Sequence, residues 1–151
     1  MSIRIRPGDA ADVDAAVDVF ERSNSARRGG VWPHRPASVA RVRGKLRNSD
    51  SWLLLAIDGG EPVAMASAEA SRVRAGGCFL SYLFVAPERW GEGIGGLILD
   101  AVLAEAKRRR HSYIHLWTAD YNPRSHRLYR SRGFAPTGRV DDDDCEWARE
   151  L

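Results

Sequence analysis

Four glycines fall within six residues, at Gly91, Gly93, Gly95 and Gly96, and an apolar helical pattern follows them directly. Glycine admits positive φ angles and lets a ligand approach the main chain closely. Free N–H groups that lead into a helix N-terminus form a cradle for anions. A tight strand-to-helix turn, the alternative without a ligand, needs only one or two glycines. The stretch 91–96 therefore predicts a site for a diphosphate group.

The same six residues also fit G-x-G-x-x-G, the fingerprint of dinucleotide-binding folds. That fingerprint opens a large parallel sheet and leaves its strand almost directly. Here several strands joined by hairpin signals come first, and residues 87–90 separate the glycines from the preceding strand. The acidic residue expected about 20 positions further on is also missing, since the nearest candidate, Asp120, comes later. No G-K-[ST] follows, which excludes a P-loop. We interpret the glycines as a diphosphate site of another kind.

Hydrophobic spacing and turn residues predict the elements around the glycines. Residues 94–103 carry apolar side chains at helical spacing and predict a helix deep against a sheet. Residues 58–61 predict a hairpin turn, and Asn122 with Pro123 predicts the start of a second helix. Segment 23–36, with two glycines and two prolines, predicts a loop. The predicted order is β-α-α-β-β-β-α-β-α-β-β, an α/β domain with a mixed, mostly antiparallel sheet of about seven strands flanked by about four helices.

Length and charge limit the class of protein. The 151 residues fit one domain spanning 1–151, and the net charge of +3, from 23 basic and 20 acidic residues, argues against a nucleic-acid partner. No apolar run approaches the ~20 residues of a membrane span. The N-terminal residues lack the apolar core of a secretory signal. We therefore expect a cytoplasmic protein with no membrane partner.

The cysteines and histidines argue against a disulfide and a metal site. Cys78 and Cys145 lie in apolar stretches, which predicts buried, reduced thiols. The four histidines form no ligand pattern with each other or with the cysteines. We expect no metal cofactor.

Two stretches together resemble the GNAT superfamily of N-acetyltransferases, and the resemblance covers essentially the whole chain. Trp90 to Gly95 aligns with the family motif Q/R-x-x-G-x-G/A, although Trp90 stands where Gln or Arg is usual. Asn122 to Phe134 reads NPRSHRLYRSRGF and looks like N-x-x-A-x-x-x-Y-x-x-x-G-F, with Ser125 in place of the usual Ala. The two signatures occur in the order that the family has.

The resemblance implies acetyl-CoA as the acyl donor and a sheet splayed between its fourth and fifth strands. The backbone of Leu83, Phe84 and Val85 would follow the pantetheine arm. Because Arg124 and Arg127 sit near the start of the cofactor-side helix, we expect one of them to contact the diphosphate or the 3′-phosphate of the coenzyme. The other implied cofactor-binding residues are Trp90, Gly91, Glu92, Gly93, Ile94, Gly95, Gly96, Asn122 and Ser125.

The resemblance also implies direct transfer of an acetyl group to a primary amine in a ternary complex. Tyr129 falls at the position of the family's general acid, and an acidic residue, Glu69 or Asp120, would act as general base through water. The two cysteines argue against an acetyl-cysteine route, since neither lies near the glycines in sequence. A non-catalytic acyl-CoA-binding or regulatory module, or transfer of a longer acyl group, is the alternative.

The acceptor is expected to be an amine on a small molecule or a peptide. Trp32, Tyr82 and Trp117 are the predicted acceptor-binding residues, and segment 24–36, which contains Trp32, is the predicted substrate lid. The four aspartates 141–144 predict a solvated hairpin tip, with attraction for cationic amines or a calcium site as alternatives. A homodimer is compatible with these features.

Overall fold

The structure, a computed structural model, describes residues 2–27 and 36–151. The predicted acceptor residue Trp32 and most of the predicted lid therefore lie outside the described residues. The described elements are β1 (Ile3–Pro7), a 3-10 turn (Ala10–Asp12), α1 (Val13–Arg27), α2 (Pro36–Arg47), β2 (Ser51–Asp58), β3 (Glu61–Ala70), β4 (Gly77–Val85), a second 3-10 turn (Pro87–Arg89), α3 (Ile94–Arg108), β5 (Tyr113–Ala119), α4 (Pro123–Ser131), β6 (Ala135–Asp141) and β7 (Asp144–Glu150).

Seven strands form one sheet in the order β1-β2-β3-β4-β5-β7-β6, and only the β4–β5 pair is parallel. Among the described residues the sheet is flanked by four α-helices. The predicted mixed, mostly antiparallel α/β fold is confirmed, and so is the predicted order of elements. A dinucleotide-binding fold, which needs a mainly parallel sheet, is excluded.

A hydrophobic core lies on each face of the sheet. On one face α3 packs against β3, where Ala64, Ala66 and Ala68 are fully buried and leave room for Ile98 and Val102. On the opposite face α1 and α2 cover Leu53, Leu55 and Met65. The alternation along β3 therefore separates the two faces, and it directs Glu69 to the α1–α2 side, away from the alanines.

The first long helix continues further than the sequence predicts. Segment 23–36 is predicted as a loop, whereas α1 runs to Arg27. Phe20, Ser23 and Asn24 all lie on the buried side of α1, so small polar side chains prolong the apolar stripe by one more turn. The loop prediction is wrong for these residues because a buried Ser or Asn gives no hydrophobic signal.

The predicted turn signals are found in place. Gly59 and Gly60 both have positive φ, at 58° and 83°, as the tight β2–β3 hairpin requires. Asn122 caps α4 by accepting the N–H of Ser125, at 3.3 Å, and Pro123 takes the first helical position. Local sequence therefore fixes the start of α4, the helix that carries Tyr129.

Candidate active site

The parallel strands β4 and β5 separate after three residue pairs. Gly77, Cys78 and Phe79 pair with residues 113–115, and no pairing follows beyond Phe79 and His115. At the same level β4 contains a β-bulge, because Ala68 pairs with Leu80 while Ser67 pairs with Tyr82. A bulge bends its strand and increases the local twist, which moves β4 away from β5. The predicted splay between the fourth and fifth strands is confirmed.

The splay opens into a cavity of about 740 Å³, a size typical of ligand sites. Its walls come from six parts of the fold, namely α1, β4, the glycine-rich stretch, β5, α4 and the β6–β7 hairpin. The cavity brings together these predicted site residues: Tyr82, Leu83, Phe84, Val85, Trp90, Gly91, Gly93, Ile94, Gly95, Gly96, Trp117, Asn122, Ser125, Arg127 and Tyr129. Glu92, Glu69 and Asp120 are predicted site residues that do not line it.

The glycine-rich stretch has the conformation that an anion cradle needs. Gly91 and Gly93 have φ angles of 85° and 83°, and Gly93 is the N-cap of the 15-residue helix α3. No side chain caps this helix end, and a Cβ added to either glycine would meet nothing within 4 Å. The first N–H groups of α3 have no capping side chain and belong to residues that line the cavity, where the helix dipole favours negative charge. These residues fit a diphosphate.

Ion pairs and one indole hydrogen bond hold this stretch in place. Arg89 contacts the carboxylates of Asp58 and Glu92, at 2.9 and 2.8 Å. The indole Nε1–H of Trp90 donates to the carbonyl oxygen of Val85, at 2.9 Å. Glu92 therefore positions the cradle through Arg89 rather than by lining the cavity.

The free edge of β4 presents main-chain donors to the cavity. The Ala86 N–H donates to Val63 on β3, at 2.8 Å. Because amide direction alternates along an antiparallel strand, the N–H groups of Val85 and Leu83 point the other way, toward the cavity. By the same alternation the Phe84 N–H points to β3. A linear ligand lying along β4 would find two donors there.

The hydroxyl group of Tyr129 is available to a ligand. The side chain is only 6% exposed, and it packs edge-on against Phe134 with ring centroids 5.5 Å apart. Burial raises the pKa of this phenol well above its ordinary value. Within the described part of the chain its oxygen has no hydrogen-bond partner, although the residue lines the cavity. Such a phenol stays protonated and can donate its proton into the cleft.

Ser125 joins α4 to β5 beside the cavity. Its Oγ lies 2.8 Å from Thr118 Oγ1 and also donates to the Asn122 carbonyl oxygen, at 3.1 Å. These contacts fix the start of α4 against β5, the strand that forms the opposite wall from β4. Arg124, in the first turn of α4, and Arg127, in the middle of that helix, both line the cavity.

The two candidate general bases, Glu69 and Asp120, do not line the cavity. Glu69 is buried and pairs with Lys45, with Oε1 to Nζ at 2.6 Å. The Lys45 ammonium lies over the Phe79 ring, 5.4 Å from its centroid. Asp120 is exposed, and its N–H donates to the Asp143 carbonyl oxygen, at 2.9 Å. The role of general base therefore stays a prediction for both.

The predicted acceptor residues Tyr82 and Trp117 lie on opposite walls of the splay. Tyr82 packs with Phe20 on the α1 side, with ring centroids 6.2 Å apart, and burial raises the pKa of its phenol. Three residues of the predicted hairpin tip, 142–144, line the cavity. Acidic residues therefore lie beside the cavity where β7 begins.

Sequence reasoning missed Ser81, the residue in the β4 bulge. Its hydroxyl is buried, lines the cavity and has no hydrogen-bond partner among the described residues. An unsatisfied buried hydroxyl beside a cavity is typical of a group that pairs with a ligand. No local signal marks Ser81, since the bulge depends on pairing with β3.

A second missed feature is a hydrogen-bonded chain of the partly buried Ser71 and the buried His115 and Glu146. His115 Nε2 lies 2.8 Å from Ser71 Oγ, and Nδ1 lies 3.1 Å from Glu146 Oε2. The connectivity is that of a serine hydrolase triad. However, Ser71 Oγ also accepts the N–H groups of Val73 and Arg74, and none of the three triad-like residues lines the cavity. These three hydrogen-bonded side chains fix β5 at the point where the splay begins.

Both cysteines are buried free thiols, as predicted. Burial raises the pKa of Cys78 to about 12. No group of His, Cys, Asp or Glu residues in ranges 2–27 and 36–151 could hold a metal ion. No helix of the described chain is long and apolar enough to cross a membrane.

Comparisons with known proteins agree with this geometry. The sequence profile of the Acetyltransferase (GNAT) family matches residues 16–134, most of the chain. The chain therefore belongs to the GNAT family of acetyltransferases, whose members transfer an acyl group from acetyl-CoA to amines. No curated protein matches the sequence.

Several solved structures share the fold at low sequence identity. The PaiA N-acetyltransferase from Thermoplasma acidophilum, in complex with coenzyme A, is 19% identical with a TM-score of 0.81, over 100% of both chains. The ribosomal-protein-S18-alanine N-acetyltransferase from Escherichia coli is 17% identical with a TM-score of 0.79, over 99% of this chain and 94% of that one. An acetyltransferase from Thermus thermophilus is 20% identical with a TM-score of 0.81, over 100% and 98%.

Proposed function

We propose that this protein is an N-acetyltransferase that moves the acetyl group of acetyl-CoA to a primary amine by direct attack in a ternary complex. One observation carries the proposal: the β4–β5 cavity is lined both by the glycine-rich helix start and by Tyr129, whose hydroxyl has no partner among the described residues. A diphosphate and a leaving thiolate need these two groups. Both belong to one cavity.

The chain's own main-chain donors bind the coenzyme in this proposal. The N–H groups of residues 91–96, at the head of α3, hold the diphosphate, whereas the Trp90 N–H already donates to the Pro87 carbonyl oxygen, at 3.3 Å. The N–H groups of Leu83 and Val85 hold the amide-bearing arm along β4, and the small Ser125 leaves room beside α4. Bound acetyl-CoA supplies the acyl group already activated as a thioester.

Tyr129 holds the proton that the departing sulfur takes up. Its raised pKa keeps the phenol protonated at neutral pH, and a positioned acid of this kind contributes about 10²–10⁴-fold to rate. The Ser81 hydroxyl, in the bulge where the strands diverge, donates a hydrogen bond to the substrate at the apex of the cavity. Such donors act most strongly where water is excluded.

The acceptor amine enters from the α1 side, between Tyr82 and Trp117. It must be neutral to attack, and we assign its proton to Glu69 or Asp120 through water. A buried, paired Glu69 favours a relay over direct contact. The free thiols of Cys78 and Cys145 suit the cytoplasmic location predicted from the sequence.

The test is release of free thiol from acetyl-CoA with a panel of amines: polyamines, amino acids, aminoglycosides, peptides with free N-termini and lysine peptides. We expect turnover with at least one class, and the acetylated amine in the mass spectrum. Binding of coenzyme A without turnover on any amine would instead indicate the non-catalytic module. Propionyl- and butyryl-CoA, run in parallel, test for transfer of a longer acyl group.

A further inference from the structure

The guanidinium of Arg124 lies over the ring of Trp90, and both residues line the cavity. The guanidinium carbon of Arg124 lies 3.7 Å from the centroid of the Trp90 ring. The ring itself is fixed from behind, since its Nε1–H donates to the Val85 carbonyl oxygen at 2.9 Å. Arg124 follows Pro123 in the first turn of α4, whose start is capped by Asn122. Both members of the pair therefore stand on anchored backbone.

The stacking leaves the hydrogen-bonding edges of Arg124 free. A guanidinium that lies flat on an aromatic ring keeps its N–H groups in the plane, pointing outward. Within the described chain Arg124 makes no hydrogen bond and no ion pair, and it lines the same cavity as Gly91 and Gly93. By contrast, Arg89 has its charge taken up by Asp58 and Glu92. Arg124 is thus a preorganised cation beside the anion cradle.

Position 90 carries an aromatic residue where the family motif usually has a polar one. In the GNAT motif that residues 90–95 resemble, Gln or Arg is usual at the first position, where this chain has Trp90. An indole has one N–H, and here that group is used by Val85. Position 90 therefore offers no polar side-chain group to a phosphate and offers a platform instead.

We propose that Arg124, held on the Trp90 ring, supplies the side-chain cation for the diphosphate of coenzyme A. The inference rests on the proposed function, because it assumes that coenzyme A occupies the cavity. A guanidinium suits two phosphate oxygens better than an ammonium does, because its donors form a planar fork. Stacking also limits the rotamer freedom that an exposed arginine would otherwise lose on binding.

Calorimetric titration of coenzyme A into variants of the full chain tests the pair. Arg124→Met keeps the aliphatic stem and removes the charge, and we expect affinity to fall about tenfold or more. Arg130→Met is the matched control, since Arg130 also lies over an indole, that of Trp147, but outside the cavity lining. We expect it to bind within twofold of the wild-type protein. Titration with 3′-dephospho-coenzyme A should show the same loss for Arg124→Met.

A double-mutant comparison tests the role of the ring. In a Trp90→Ala background, Arg124→Met should lower the affinity for coenzyme A by less than twofold, because the ring that holds Arg124 is gone. A Trp90→Phe background keeps a ring but loses the indole N–H. In that background, Arg124→Met should still lower the affinity for coenzyme A severalfold. This second background also guards against loss of folding in Trp90→Ala.

Several results would overturn the inference. One is an affinity of Arg124→Met for coenzyme A equal to that of Arg130→Met. Another is a loss of affinity in Arg124→Met that is the same with and without the Trp90 ring. A third is a loss of affinity seen with coenzyme A but not with 3′-dephospho-coenzyme A. The last would assign Arg124 to the 3′-phosphate. A wild-type protein that does not bind coenzyme A would overturn the proposed function as well, so the two failures are distinguishable.

Discussion

Phe79 on β4 and His115 on β5 are the last paired residues before the two strands separate, and their rings lie 5.0 Å apart. His115 is held from its other side by Ser71 and Glu146. The apex of the cavity is therefore fixed by ring packing and buried hydrogen bonds rather than by a mobile loop. A preformed apex gives the reacting groups a defined place.

Replacing Tyr129 with Phe should lower kcat by about a hundredfold and leave the KM for acetyl-CoA nearly unchanged. The change removes the proton donor but keeps the ring packed on Phe134. Because burial raises the pKa of the phenol, the wild-type kcat should show no alkaline loss from Tyr129 up to about pH 10. Steady-state kinetics against pH checks both points, with Tyr113→Phe as the control outside the cavity. An unchanged kcat in Tyr129→Phe would exclude the residue from catalysis.

Glu69→Gln and Asp120→Asn should separate the two candidate bases. The variant that lacks the true base loses the acidic limb of the kcat/KM profile, and the other keeps it. Glu69→Gln also leaves Lys45 without its ion-pair partner, so its melting temperature must be measured alongside. If both variants keep the acidic limb, neither residue is the base.

Cys78 should be dispensable for activity. With its pKa raised to about 12 by burial, the thiol is protonated between pH 7 and 9 and does not react readily. We expect the native protein to keep its activity after iodoacetamide treatment, and Cys78→Ala to keep its kcat within about threefold. Cys145→Ala serves as the parallel variant. Mass-spectrometric detection of an acetylated cysteine during turnover would contradict direct transfer.

Asp12→Asn should destabilise the fold by about 1–2 kcal/mol at pH 7, the sum expected for a helix cap and a partly buried ion pair. Asp12 pairs with Arg6 at 2.9 Å and accepts the Asp9 N–H. These contacts lower the pKa of Asp12 from 3.8 to about 2. Since the folded pKa is depressed, the stabilisation is present above about pH 4 and is lost as pH falls toward 2.

Urea unfolding of wild type and Asp12→Asn at several pH values measures that difference. The difference in free energy of unfolding between wild type and Asp12→Asn should shrink steadily from pH 4 to pH 2. A gap that stays constant over this interval would mean that the ion pair contributes nothing to the pH dependence.

Gly93→Ala should weaken coenzyme A binding by tenfold or more, because φ at this residue is 83° and an alanine there costs roughly 1–2 kcal/mol or moves the backbone. Gly138 on β6 has φ of 89°, a Cβ added there would also meet nothing within 4 Å, and the residue lies outside the cavity lining. Gly138→Ala therefore carries the same backbone penalty without touching the cradle. If Gly93→Ala and Gly138→Ala lose the same affinity for coenzyme A, the loss in Gly93→Ala comes from reduced stability and not from the cradle.

Local features of the sequence predicted much of the fold. The α3 stripe, the residue 58–61 hairpin and the Asn122–Pro123 helix start are each encoded by neighbouring residues, and the structure has all three. The end of α1 was mispredicted because Ser23 and Asn24 continue a buried face with polar side chains. Their burial depends on the sheet beneath them, which spacing along the chain does not reveal.

The site was predictable where a motif carries it and obscure where tertiary contacts do. The glycine-rich stretch and Tyr129 stand in contiguous signatures, and both line the cavity. The Ser81 bulge, by contrast, depends on register with β3, and the Trp90–Arg124 pair joins residues more than thirty positions apart. The partner of Glu69, Lys45, comes from α2, so its ion pair was equally hidden.

In the proposed function the main chain of residues 91–96 holds the diphosphate of coenzyme A. Amide ¹H–¹⁵N shifts followed during titration with coenzyme A test it most directly. We expect the largest shifts at residues 90–96 and at Leu83 and Val85, with little change on β1 or the β2–β3 hairpin. Shifts that cluster elsewhere, or no shifts at millimolar ligand, would contradict it.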